Sequence, residues 1–159
     1  MLIGLLADTH DRLSRVETAV DILNEKCVER VLHAGDYIAP FALKPLQRLN
    51  APWEGVFGNN DGEEEGLKKV SGGRIDGPRK DLLIDGRRIV LVHERERALE
   101  SPRGEVVVCG HTHVFCVEKH GGVVIVNPGE CCGYLNGTAT IALLETSALS
   151  IERVELPVG

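Results

Sequence analysis

Aspartate, asparagine and histidine collect where apolar runs end. Asp8 and His10 follow Leu2–Ala7, and Asp36 follows Val28–Ala34 within His33-Ala34-Gly35-Asp36. Asn59, Asn60 and Asp61 follow Trp53–Phe57 behind Gly58. His93 closes Ile89–Val92, and His111 and His113 follow Val106–Cys109 behind Gly110. If these ends converge, Asp8, His10, Asp36, Asn59, His93, His111 and His113 form one pocket of oxygen and imidazole donors. That mixture suits borderline divalent ions such as Mn, Fe, Co, Ni or Zn, and is too nitrogen-rich for Mg or Ca. Seven donors are too many for one ion and fit two, with a shared carboxylate holding them about 3.5–4 Å apart. Such a pair neutralises phosphate oxygens and acidifies a bridging water, giving a hydroxide nucleophile near neutral pH with no need of Ser or Cys.

The elements that must place these residues follow from hydrophobic patterning. Leu2–Ala7 is almost all apolar, as in a strand buried on both faces. Leu13, Val16, Ala19, Val20 and Leu23 give Arg12–Cys27 helical spacing. Val28–Ala34 and Trp53–Phe57 read as strands, and Pro40–Leu49 as a short helix opening on a proline. This strand–helix alternation implies parallel strands in one sheet, whose carboxyl ends are where ligands bind in open α/β folds. Asp8/His10 and His111/His113 are spaced i, i+2, which in extended backbone turns both side chains to one face. Gly62–Pro78 reads as a loop with a short helix. After residue 80, strands dominate: Asp81–Ile84 and Arg88–His93 flank Asp85-Gly86, and Phe115–His120 and Val123–Val126 flank Gly121-Gly122, both hairpin signals. Glu105–Cys109, Thr138–Leu144 and Leu149–Leu156 are further strands. Two packed sheets with helices outside are expected, in a single domain over residues 1–159.

The net charge is −6 and no Lys/Arg block stands out, which argues against an extended nucleic-acid face or membrane attachment through a basic surface. No apolar run reaches the ~18–20 residues needed to span a bilayer. The start lacks a charged signal-peptide region, so the protein is expected to be cytoplasmic. The five cysteines, Cys27, Cys109, Cys116, Cys131 and Cys132, form no CxxC pair and read as reduced, mostly buried thiols.

Asp8-Thr9-His10, Gly35-Asp36, Gly58-Asn59-Asn60-Asp61, His93 and Gly110-His111-Thr112-His113 resemble the five ordered motifs of calcineurin-like metallophosphoesterases. The nearest resemblance is to the small single-domain phosphodiesterase branch of archaea and bacteria. Asn127-Pro128-Gly129 with Glu130-Cys131-Cys132-Gly133-Tyr134 resembles that branch's C-terminal signature. The resemblance covers almost the whole chain. It implies an α/β fold, a four-layer αββα sandwich of two mixed β-sheets flanked by helices. It implies that Asp8, His10, Asp36 and His113 hold one divalent metal and that Asp36, Asn59, His93 and His111 hold a second, with Asp36 bridging. The expected activity is phosphodiester hydrolysis on a small phosphate ester, with Asn60, Asp36 and His10 as catalytic residues. A homodimer is common in that branch, although no interface motif in the sequence speaks for one.

Two positions depart from the family pattern. Many larger relatives carry His where this chain has Asn60; an amide hydrogen-bonds phosphate but is no general acid near pH 7. Glu94 follows His93 where glycine is usual, and either reshapes the second metal site, adds an outer acidic group, or faces solvent. Segment 94–104 is also short for its place. Singly, Asp8, Asp36 and Asp61 read as turn residues, and only the joint pattern argues for metal. His33 reads as a supporting residue, His120 as an exposed turn residue, and Cys131 and Cys132 as packing. Arg12 reads equally as a phosphate contact or a solvated residue. The rival functions are a phosphomonoesterase and a protein-binding scaffold that keeps the fold without catalysis, as in a retromer subunit.

Overall fold

In the computed structural model, which describes residues 1–99 and 104–157, ten strands form two five-stranded sheets. In chain order they are β1 (Leu2–Leu6), β2 (Arg30–His33), β3 (Trp53–Gly55), β4 (Arg79–Ile84), β5 (Arg87–Val92), β6 (Val106–Val108), β7 (Phe115–His120), β8 (Val123–Pro128), β9 (Thr140–Glu145) and β10 (Ser150–Glu155). The first sheet has the order β10-β9-β1-β2-β3, with β1, β2 and β3 parallel and β9 and β10 antiparallel at one side. The second has the order β4-β5-β6-β8-β7, with β5, β6 and β8 parallel and a hairpin partner at each edge. Both sheets are therefore mixed: the three parallel strands lie at one side of the first and at the centre of the second.

The sheets face each other across an apolar layer. Ile3, Leu5, Leu32 and Val56 of the first meet Ile89, Leu91, Val106, Val108, Val124 and Val126 of the second. Alternate residues of the first sheet point outward, where Val16, Ala19, Val20 and Leu23 of α1 (Leu13–Glu25) cover them. Gly4 is the close-approach point, since a Cβ there would overlap the Leu23 side chain. Leu67 of α2 (Glu64–Val70) extends the same cluster. The outer face of the second sheet, with Val90, Val92, Val107, Cys109 and Ile125, packs on Ala98 of α3 (Glu96–Leu99), a single described turn. The two sheets and their helical flanks agree with the expected sandwich.

Three local readings change. Pro40–Leu49 is two 3₁₀ turns, Pro40–Leu43 and Pro45–Arg48, because Pro45 has no N–H and its ring obstructs the preceding turn. β3 stops at Gly55, and its free edge bonds to the segment after α2: Gly55 N donates to Arg74 O and Phe57 N to Gly77 O. Residues 100–103, part of the short segment read between Glu94 and Gly104, lie outside the described residues. No described helix is long and apolar enough to cross a membrane.

Candidate metal centre

The carboxyl ends of the parallel strands of both sheets open on one edge of the sandwich. β1 delivers Asp8 and His10, β2 delivers Asp36, and the chain after β3 delivers Asn59. β5 delivers His93, and β6 delivers His111 and His113. All seven residues therefore meet at one place.

The backbone there is not extended. Asp8, His10, Asp36, His111 and His113 have φ of 52°, 41°, 61°, 71° and 62°, in the left-handed region. The i, i+2 pairs thus share a face through tight turns, which corrects the extended-strand explanation. Left-handed non-glycine residues each cost on the order of 1 kcal/mol, and their clustering marks a functional site. Glycines allow the turns to close. Gly35 has φ +95°, and a Cβ on it would lie 2.7 Å from the Gly58 nitrogen and 3.0 Å from His93 Nδ1. A Cβ on Gly58 would overlap the Asp36 carboxylate.

Asp36 lies between two groups of donors. Its Oδ2 is 3.4 Å from His10 Nε2, and its Oδ1 is 3.5 Å from His93 Nε2. On the first side, Asp8 Oδ1 lies 3.6 Å from His113 Nε2 and 3.9 Å from His10 Nε2. Donor atoms of Asp8, His10, Asp36 and His113 all fall within 4.8 Å of one another. On the second side, Asn59 Oδ1 is 2.9 Å from both His93 Nε2 and His111 Nδ1. Most of the carboxylate–imidazole separations are too long for hydrogen bonds. They start at the upper end of the roughly 3.0–3.4 Å between ligands on an octahedron or tetrahedron with ~2.1 Å bonds and exceed it by up to about 0.5 Å, so the donors would close slightly on an ion.

Unsatisfied atoms argue for a cation on the first side. Asp8 Oδ1, Asp8 Oδ2 and His10 Nε2 are buried and have no hydrogen-bond partner. A buried carboxylate left bare costs several kcal/mol unless a cation compensates it. Burial pushes the metal-free Asp8 carboxyl up to about 7; His113 opposes that rise and Asp36 adds to it. Burial also lowers the pKa of His10 and His93, keeping both neutral, the form that binds a metal. His93 Nδ1 donates to Ala34 O at 2.8 Å, so the neutral ring turns a bare Nε2 lone pair toward the Asn59 oxygen. Two facing acceptors at that distance fit a cation between them.

Comparison with known proteins agrees with this geometry. The model of the calcineurin-like phosphoesterase superfamily domain matches residues 1–149. The chain belongs to the calcineurin-like phosphoesterase superfamily. A phosphodiesterase of Methanocaldococcus jannaschii is 37% identical over 165 residues, covering 98% of this chain and 99% of the relative. The solved structure of an archaeal phosphodiesterase superposes with a TM-score of 0.91 at 36% identity, covering 98% of this chain and 100% of its own. A phosphoesterase from E. coli shares the fold, with a TM-score of 0.72 at 22% identity over 99% of this chain and all of its own.

The remaining motif residues of this calcineurin-like domain support the donors. Asp61 is the staple between two site loops. Its Oδ1 accepts the N–H groups of Tyr37 (2.7 Å) and Ile38 (2.8 Å), and its Oδ2 those of Asp36 (3.0 Å) and Gly58 (2.8 Å). His33 is fully buried below Asp36. Its Nδ1 accepts the Gly35 N–H at 3.1 Å, its Nε2 lies 3.3 Å from Thr9 Oγ1, and its ring stacks on Tyr37. The Asn60 amide donates to Asp36 Oδ2 at 2.7 Å and so holds the carboxylate that lies between the two donor groups. Arg12 is tied to the Cys132 carbonyl at 2.5 Å and lies over the Tyr134 ring, so it is held against the protein and not simply solvated.

Glu94 lines a cavity of about 510 Å³ that begins at Asn59 and His93. Its Oε2 accepts Arg97 Nε at 2.9 Å, making it an acidic wall of the cleft and leaving the donors themselves undisturbed. Asn127 Nδ2 donates to Gly110 O (2.8 Å) and to Thr112 Oγ1 (2.9 Å), which shapes the loop carrying His111 and His113. Cys109, Cys131 and Cys132 are buried, Cys27 is exposed, Cys116 is half-buried, and all five thiols are free. His120 is exposed, as expected. Glu130, quoted in sequence only as part of the C-terminal signature, contacts His113 through a buried carboxylate.

Proposed function

We propose that residues 1–159 act as one metal-dependent phosphodiesterase domain, hydrolysing a small phosphate diester at the junction of the two sheets. The observation that carries this reading is the bare, buried Asp8 carboxylate beside a shared Asp36 whose two oxygens face two separate donor groups. Asp8, His10, Asp36 and His113 would hold one divalent ion, and Asp36, Asn59, His93 and His111 a second. When bound, such a pair neutralises phosphate charge and acidifies the water that attacks phosphorus. Mn, Ni, Co, Fe and Zn all suit the donor set.

The chain's own residues then perform four tasks. Asp36, aligned by Asn60, keeps the two donor groups in register. His93 is held in its Nδ1–H tautomer by Ala34 O, which leaves Nε2 free for a metal. His10 and His111 lie at the solvent side, where substrate enters. The cavity beside Asn59 and His93 receives the alcohol part of the ester. No described side chain at the shared carboxylate serves as a general acid in the place of Asn60, which favours diesters with good leaving groups over monoesters. The close relative of M. jannaschii, itself a phosphodiesterase, supports the diester assignment. A cytoplasmic setting suits the five free thiols. The homodimer expected from the resemblance is open to sizing by light scattering.

Hydrolysis of bis-p-nitrophenyl phosphate and p-nitrophenyl phosphate by metal-stripped protein, before and after adding Mn, Ni or Co, tests the reading. Metal-dependent turnover of the diester ahead of the monoester is expected. Bound metal without turnover of either would instead favour the scaffold reading.

A further inference from the structure

Glu130 is completely buried just beyond β8, with no Lys or Arg within salt-bridge distance among the described residues. Its charge is met by donors alone. Oε2 accepts His113 Nδ1–H at 2.9 Å, the Cys132 thiol at 3.4 Å and the Tyr134 N–H at 3.1 Å. Oε1 accepts the N–H groups of Leu135 at 3.0 Å and Asn136 at 2.5 Å. The His113 carbonyl closes the same ring: it accepts the Glu130 backbone N–H at 3.2 Å and the Asn136 side-chain amide at 2.9 Å.

We infer that Glu130 is a positioning residue for the metal centre, acting through His113 and joining the Tyr134–Asn136 loop to it. The inference rests on the reading of His113 as a metal donor. A neutral imidazole carries one proton. With that proton on Nδ1 and bound by Glu130, Nε2 presents its lone pair toward Asp8 Oδ1, 3.6 Å away. The left-handed backbone of His113 fixes where the ring starts, and Glu130 fixes how it is turned. A carboxylate behind a metal-bound imidazole also raises its basicity, and losing such a partner typically weakens metal binding about 10–100-fold. Because the same carboxylate gathers three successive amides, ordering of that loop and presentation of His113 occur together. Glutamine is a poor substitute here: its NH₂ group would face amide donors and could accept nothing from them.

The test has two parts. In metal-free wild-type protein, two-bond ¹⁵N–¹H NMR correlations are expected to show His113 as the Nδ1–H tautomer; the Nε2–H tautomer would overturn the inference without any variant. Mn titration of wild type and Glu130→Gln is then expected to show one of two sites weakened at least 10-fold and the other retained. Amide exchange at Tyr134–Asn136 is expected to quicken in the variant. Equal weakening of both sites would mark general loosening of the fold and contradict a role through His113, as would unchanged affinity. Wild-type protein that binds no metal contradicts the donor reading itself, whereas two sites unaffected by Glu130→Gln contradict only the role of Glu130.

Discussion

Asn60 grips Asp36 at both carboxylate oxygens: its backbone N–H donates to Oδ1 at 3.0 Å and its side-chain amide to Oδ2 at 2.7 Å. The residue that departs from the family's histidine therefore aligns the carboxylate common to both donor groups. Asn60→Ala keeps the backbone bond and loses the other, and metal affinity is expected to fall about 10-fold. Asn60→His restores a titratable group, so its kcat should fall less steeply than wild type's from nitrophenyl to phenyl diesters. Parallel leaving-group dependences in the two proteins would remove Asn60 as the reason for a leaving-group preference.

Asp8 is the clearest electrostatic debt in the fold. Its carboxyl titrates near 7 in the metal-free chain against an ordinary value of 3.8, because of burial. The folded chain therefore binds more protons than the unfolded chain across that window, and metal-free stability falls as pH rises from about 4 to 7. Metal loading should raise Tm by several degrees at pH 7.5, about 2–4 °C for each kcal/mol. Asp8→Asn should be at least as stable as stripped wild type at that pH, yet gain less from added metal than wild type does, because only the Asp36, Asn59, His93 and His111 donors remain complete. Calorimetry on both proteins with and without Mn decides this.

His33 gives the opposite slope. Burial, with smaller contributions from His93 and His10, holds its pKa at about 3 against an ordinary 6.5. The ring stays neutral in the folded chain while the unfolded chain takes up a proton, so its stability contribution is complete above 6.5 and is lost as pH falls toward 3. The slope is at most about 1.4 kcal/mol per pH unit. Urea unfolding of metal-loaded protein at pH 7.5 and 5 should show the loss, and His33→Gln should flatten it. An unchanged slope in the variant would mean His33 is not the group involved.

Glu94 adds negative charge to a cleft already lined by Asp61, Glu64, Glu65 and Asp76 against Lys68 and Arg97. Glu94→Gln keeps an acceptor for Arg97 and removes the charge. KM for an anionic diester should fall a few-fold, with the gain fading as salt is raised past the Debye regime of ~0.1 M. A rise in KM would mean that holding Arg97 matters more than the charge.

Most of the centre is legible because each strand leaves its chemistry at its own carboxyl end. Asp8, Asp36, Asn59, His93 and His111 sit beside the apolar runs that carry them, so period and punctuation locate them. What sequence hides are partners joined through space. Asp61 bonds Tyr37 across 24 positions and Glu130 bonds His113 across 17, and neither contact leaves a local pattern. The left-handed turns at Asp8 and His113 are equally silent, because Asp and His tolerate that region without announcing it as glycine does. Pro45 was visible in sequence, and its helix-breaking effect could have divided Pro40–Leu49 in advance.

In the proposed reaction two divalent ions would be held by donor groups that have Asp36 in common. The decisive measurement titrates stripped protein with Mn while bound metal and bis-p-nitrophenyl phosphate turnover are recorded together. Two ions per chain are expected, with turnover that follows occupancy of the second and a loss of roughly 10²-fold or more in Asp36→Asn. Full turnover with a single ion bound, or an Asp36→Asn variant that binds two ions and turns over as wild type does, would contradict the proposed reaction.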